Sequence, residues 1–94
     1  MANRTMVRMR EMIRKRRYVL TLHADEEMDN DSLTIFDVEN VILTGELFQQ
    51  QRDRKTSERK FLVRGKTLQG RESAVVVSRF GPSDRLVILT VYVE

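Results

Sequence analysis

The chain's single histidine, His23, stands in the stretch YVLTLHADEEMDND, directly after a short apolar run and just before a run of carboxylates. An imidazole exchanges protons near neutral pH, so His23 is the first candidate for general acid–base work. Its structural alternative is a histidine that closes a strand by bonding to backbone. The second candidate is the pair Thr90 and Tyr92, near the end of LVILTVYVE. A tyrosine can donate a proton or stack on a base, or it can serve as a lid on the edge of a core. The third is a set of cations. Lys60, Arg64 and Lys66 fall on one side of RKFLVRGKT, opposite Phe61 and Val63, and Arg79 follows in SAVVVSRF. Cations in a row on one sheet face would cradle phosphate, and a solvated outer face has the same pattern.

The specific catalytic signatures are missing. There is no P-loop, no G-x-S-x-G nucleophile elbow and no H-E-x-x-H helix. One histidine among scattered carboxylates offers too few imidazole or soft donors for a transition metal. There is no cysteine for a disulfide or a thiolate zinc site. Any chemistry is expected to run without a metal or a cofactor.

The net charge is +3, but it is unevenly placed. Residues 1–17 hold seven Lys/Arg against one Glu; residues 18–51 hold eight Asp/Glu and no Lys or Arg; residues 52–79 hold nine Lys/Arg against three Asp/Glu. Two basic blocks can follow a phosphate backbone, or the acidic block can neutralise them within the fold; composition does not choose. The 94 residues suffice for one small domain and no second core. No apolar run reaches the roughly 18 residues of a membrane span. Apolar and basic residues interleave where a secretory apolar region would stand. The lack of cysteine suits a reducing cytoplasm.

The elements that must position these residues have legible periods. NRTMVRMREMIRKR, residues 3–16, predicts a helix with Met6, Met9 and Ile13 on one face, Met12 at its edge, and Asn3 or Thr5 as cap. It is docked by its methionine face, or an arm for a partner or nucleic acid, or a membrane-surface or transit helix. It lacks the serine of a transit peptide and runs directly into a strand. YVLTL, residues 18–22, predicts that strand, closed by His23; HADEEMDND predicts a helical turn and a loop. TIFDVENVILTG predicts the clearest helix, with a Thr34–Asp37 cap, a stripe of Ile35, Val38, Val41 and Ile42, and Gly45 as C-cap. The period then changes to two. ELFQQQRD, RKFLVRGKT, SAVVVSRF and LVILTVYVE predict four strands, joined by RKTSE, LQGRE and GPSDR. The last, apolar almost throughout, is expected at the centre of the sheet, with Leu86, Ile88, Thr90 and Tyr92 sharing a face. The expected fold is α+β: N-terminal helix, strand, helix, then a four-stranded antiparallel meander with the helices on one face. Residues 1–17 form a basic amphipathic helix and residues 18–94 a single α+β domain.

Four stretches carry a family resemblance: LTLHA, with Thr21, His23 and Ala24; DVENVILTGE, ending at Glu46; GRESAVVV, with Gly70, Arg71 and Val75 to Val77; and the closing ILTVY, Ile88 to Tyr92. From about residue 18 onward the chain resembles the domain of unknown function 4258 family. Proteins of that family resemble small ribonuclease-like toxins of the RelE, MqsR and BrnT kind. The basic N-terminal helix lies outside the resemblance. What it implies is a RelE-like toxin of a bacterial type II toxin–antitoxin pair, acting in the cytoplasm. Such a toxin cleaves RNA without a metal and is blocked by a small antitoxin of the zinc-finger and helix-turn-helix type. A base takes the ribose 2′-hydroxyl proton, an acid protonates the leaving 5′-oxygen, and cations stabilise the phosphorane charge. His23 matches the family's T-x-H-A histidine and is implied as acid or base. Tyr92 and Thr90 match the T-V-Y ending and are implied as second proton donor and positioning group. Lys60, Arg64 and Arg79, taken from the strand pattern and not from a family motif, would clamp phosphate. Members often carry an arginine soon after the histidine, where this chain has DEEMDND, so RNA would have to approach His23 from the sheet side. Two other functions stay open: a non-catalytic protein-interaction domain, and a nucleic-acid-binding regulator that uses the basic N-terminal helix.

Overall fold

The four predicted strands after residue 45 form the antiparallel meander that their alternation requires, and a fifth strand joins it in parallel. The computed structural model describes residues 3–68, 70 and 72–94. In chain order the elements are α1 (Arg4–Arg14), β1 (Tyr18–Leu20), α2 (Leu22–Asn30), α3 (Ile35–Thr44), β2 (Glu46–Arg52), β3 (Arg59–Lys66), β4 (Ser73–Gly81), a 3-10 turn (Pro82–Asp84) and β5 (Arg85–Val93). The sheet runs β1-β5-β4-β3-β2, so the class is α+β with a mixed five-stranded sheet. No described helix is long and apolar enough to cross a membrane.

Helix α1 is started by the Asn3 side chain, which accepts from the Met6 amide at 3.2 Å. Met6, Met9, Met12 and Ile13 recur at helical spacing and are buried in the same cluster as the inward side chains of the sheet. The helix is therefore docked by its methionine face, and Arg10 fastens it. The Arg10 guanidinium donates to the carbonyls of Ile42 and Gly45 at 3.1 and 2.9 Å, which are orphan acceptors at the end of α3. Helix α3 opens with the expected capping box of Thr34 and Asp37. Gly45 does cap it, though with an extended φ of −87°. Glycine is required there for closeness: a Cβ would stand 2.3 Å from the Arg64 carbonyl oxygen and 2.4 Å from that of Val41.

Three expectations are corrected. First, β1 stops at Leu20, because the Thr21 hydroxyl caps a helix. It accepts from the Ala24 amide at 3.1 Å and donates to the Leu89 carbonyl at 3.0 Å. LHADEEMDN is thus the helix α2, with Ala24 and Met28 buried four residues apart, and His23 lies in its first turn rather than closing a strand. Second, β5 lies second from an edge, between β1 and β4, and β4 is the central strand. Third, Leu86, Ile88, Thr90 and Tyr92 do not share a face. Ser78 pairs with Ile88 but Val77 pairs with Thr90, which leaves Leu89 as the extra residue of a β-bulge. One added residue inverts the alternation, so Leu86 and Ile88 face the helices while Thr90 and Tyr92 point the other way.

Candidate functional site

The sheet has two unequal faces. Residues paired across an antiparallel ladder project to the same side, and each strand alternates. One face carries Phe61, Val63, Ala74, Val76, Leu86, Ile88 and Val91, and these form a single buried cluster with the inward residues of all three helices. The opposite face carries Lys60, Leu62, Arg64 and Lys66 from β3, Val75, Val77 and Arg79 from β4, and Thr90 and Tyr92 from β5. Its buried members Leu62, Val75 and Val87, the last paired with Arg79, lie outside the helix-covered cluster. They are screened by their neighbours: Val75 is paired on one side with Arg64 and on the other with Tyr92, whose long side chains cover it.

Six of the seven residues singled out from the sequence, Lys60, Arg64, Lys66, Arg79, Thr90 and Tyr92, lie on this open face. Tyr92 is 38% exposed, with Thr90 beside it. Arg64 is held firmly: its guanidinium makes a two-pronged pair with Glu94, at 2.6 and 2.9 Å, and stacks 4.0 Å above the Phe48 ring. The hydrogen bond from Arg64 holds the Glu94 carboxyl below its ordinary range and raises Arg64 in turn. Arg79 approaches Glu58, Nε to Oε2 3.7 Å. Lys60 makes no ion pair among the described residues.

His23 stands apart. Its side chain is 67% exposed on α2, and Nε2 lies 3.3 Å from the Glu27 carboxylate. The same Glu27 oxygen accepts the Val91 amide at 3.1 Å. β1 has ended by this level of the sheet, so Thr21 and Glu27 satisfy the β5 edge in its place. The carboxylate that accepts the Val91 amide therefore also stands beside the imidazole, at the edge of the strand that carries Thr90 and Tyr92.

Phe48, Glu58 and Glu94 were not legible as members of this region. Phe48 reaches Arg64 because β2 has its own irregularity between Leu47 and Gln49, and alternation alone does not reveal a bulge. Among the described residues, no group of three or more Asp, Glu or His could hold a metal ion. Arg71, part of the GRESAVVV stretch, lies outside the described residues. The charge blocks meet less than their signs invite: among the described residues, no ion pair joins a carboxylate of residues 18–51 to a lysine or arginine.

Fold and site together define a small α+β domain whose helices cover one side of a mixed sheet and leave a cationic platform on the other. The chain belongs to the family described as Domain of unknown function (DUF4258), which matches residues 20–93. No curated protein and no solved structure matches it. The match begins after α1. Much of what carries the resemblance is scaffold: Thr21 is a cap, Ala24 is core, and Gly45 lets α3 touch β3.

Proposed function

We propose that this chain is a metal-independent endoribonuclease of the toxin kind, acting on RNA laid across the helix-free face of the sheet. The observation that carries this reading is the convergence of Lys60, Arg64, Arg79, Thr90 and Tyr92 on that one face. Aromatic rings and cations on an open sheet suit a single strand, because rings stack on bases and cations track phosphates. Phe48 and Tyr92, each 38% exposed, are the rings; Lys60 and Arg79 are the cations nearest to free. Arg64 joins them when an arriving phosphate displaces Glu94. In the reaction, Tyr92 protonates the leaving 5′-oxygen, Thr90 orients the ribose, and the cations stabilise the phosphorane. His23, beside Glu27 at the β5 edge, accepts the 2′-hydroxyl proton in its neutral form. An antitoxin would silence the protein by covering the same face.

The test is growth arrest on tightly controlled expression, followed by cleavage of purified RNA in the presence of a chelator. Wild type is expected to arrest growth and to cut. Tyr92→Phe should slow cutting by about 100-fold, the usual contribution of one proton-transfer group, with an unchanged circular dichroism spectrum. Intact RNA after incubation with excess wild type would end the ribonuclease reading. Undiminished cutting by Tyr92→Phe, Lys60→Gln and His23→Ala would remove this face as its seat.

A further inference from the structure

At the end of the sheet where β3 begins and β4 finishes, three arginines from three elements line one cleft of about 360 Å³. Arg8 comes from α1, Arg59 from β3 and Arg79 from β4, and Thr5, Phe61 and Phe80 line the cleft with them. The volume is at the lower end of the range of small-ligand sites, about 300 Å³ upward. Arg8 is preorganised: its guanidinium lies 4.0 Å over the Phe80 ring and pairs with Asp84 at 3.4 Å. The one carboxylate within the cleft is Glu58, at 3.7 Å from Arg79. Arg59 forms no ion pair among the described residues. Three arginines against Glu58 in the cleft and Asp84 beside Arg8 leave one positive charge in excess, and the forked guanidinium matches tetrahedral oxyanions better than lysine would.

We infer that this cleft is a phosphoryl-binding site, and that Glu58 occupies the anion's place until a phosphate displaces it. The site depends on α1, since Arg8 lies before the family match at residue 20, so it is an addition this chain makes to the shared domain. Phe61 and Phe80 belong to the helix-covered side and Arg79 to the open side, so the cleft sits at the end of the sheet where the two sides meet. A strand lying on the sheet would deliver either an internal phosphodiester or a terminal phosphate into the cleft. The identity of the ligand rests on the RNA reading above; the existence of the site does not.

Two arms test it. In the first, inorganic phosphate is titrated into the full chain while the arginine Nε–H signals are followed by NMR. Displacement of the Arg8, Arg59 and Arg79 signals supports the site. No displacement relative to an ionic-strength-matched chloride control overturns it. In the second, two short RNA oligonucleotides of one sequence, with 5′-phosphate or 5′-hydroxyl, are bound to wild type, Arg8→Gln, Arg8→Lys and Glu58→Gln. Loss of one charge-assisted contact predicts about tenfold weaker binding in Arg8→Gln, partial recovery in Arg8→Lys and tighter binding in Glu58→Gln. A loss confined to the 5′-phosphorylated RNA assigns a terminal phosphate; equal loss for both assigns the backbone. Wild-type affinity of folded Arg8→Gln for both oligonucleotides refutes the proposal. Phosphate binding without RNA binding would leave the cleft standing and remove the RNA reading.

Discussion

The two faces of this sheet are built from the same strands, often from adjacent residues, yet they obey different rules. On the covered face the buried side chains of the described strands are apolar except Ser78, and three helices pack over them. On the open face an apolar floor of Leu62, Val75 and Val87 is fenced by cations and a tyrosine. The first face stores the folding free energy, because buried apolar area is what stabilises a small domain. The second is free to spend residue types on recognition. The difference teaches where substitutions should cost stability and where they should cost only binding.

The sharpest form of that contrast is two positions two residues apart. Ile88 is fully buried under the helices, and Ile88→Ala should lower stability by about 4 kcal/mol; Thr90→Ala, beyond the bulge, should stay within about 0.5 kcal/mol. Urea unfolding of both variants measures it, and equal losses would break the comparison. Next, Gly45→Ala should cost about 3 kcal/mol, because the new methyl would meet two backbone carbonyls that cannot give way.

A smaller effect sits at the margin of the covered side. The Tyr18 hydroxyl donates to Glu39 at 2.6 Å, and burial first, then this carboxylate, pushes its pKa up from 10.0 to about 12. The folded protein therefore holds that proton after the unfolded chain has lost it. Stability from this group is complete below pH 10 and is lost as the pH rises toward 12. Tyr18→Phe should cost about 1 kcal/mol at neutral pH and should flatten the alkaline decline; an unchanged decline would show that Tyr18 is not its source.

The smallest stability effects come from two polar residues, one on each face. Ser78 is fully buried, with no hydrogen-bond partner for its hydroxyl among the described residues, so Ser78→Ala should be neutral or stabilising by up to about 1 kcal/mol. Lys60→Gln should leave the melting temperature unchanged and, under the proposed RNA reading, reduce the salt dependence of RNA binding by about one unit of log–log slope.

Much of the architecture was legible in the residues. The methionine stripe of α1, the Thr34–Asp37 box and the change of period after Gly45 each rest on local geometry, and local geometry is what a sequence displays. Lys60, Arg64 and Arg79 came out on one face because β3 and β4 pair without interruption. What stayed hidden was non-local. Thr21 favours a strand by its β-branched side chain, but its hydroxyl finds Ala24 and Leu89, and the cap wins. The contribution of α2 to the β5 edge depends on where β1 ends, and β1 is only three residues long. The bulge at Leu89 leaves no mark in composition, since every residue around it is an ordinary strand former.

That bulge makes the inside and outside of the last strand a matter of counting. Thr90 and Tyr92 look outward because one residue too many precedes them, and nothing in their own chemistry demands it. Removing Leu89 would leave every other side chain intact, yet would turn the hydroxyl and the phenol toward the methionines and Val91 toward water. The platform is therefore more vulnerable to a change of strand length than to most changes of residue. A lineage that gained or lost a single codon here would keep its composition and exchange its working surface for its core.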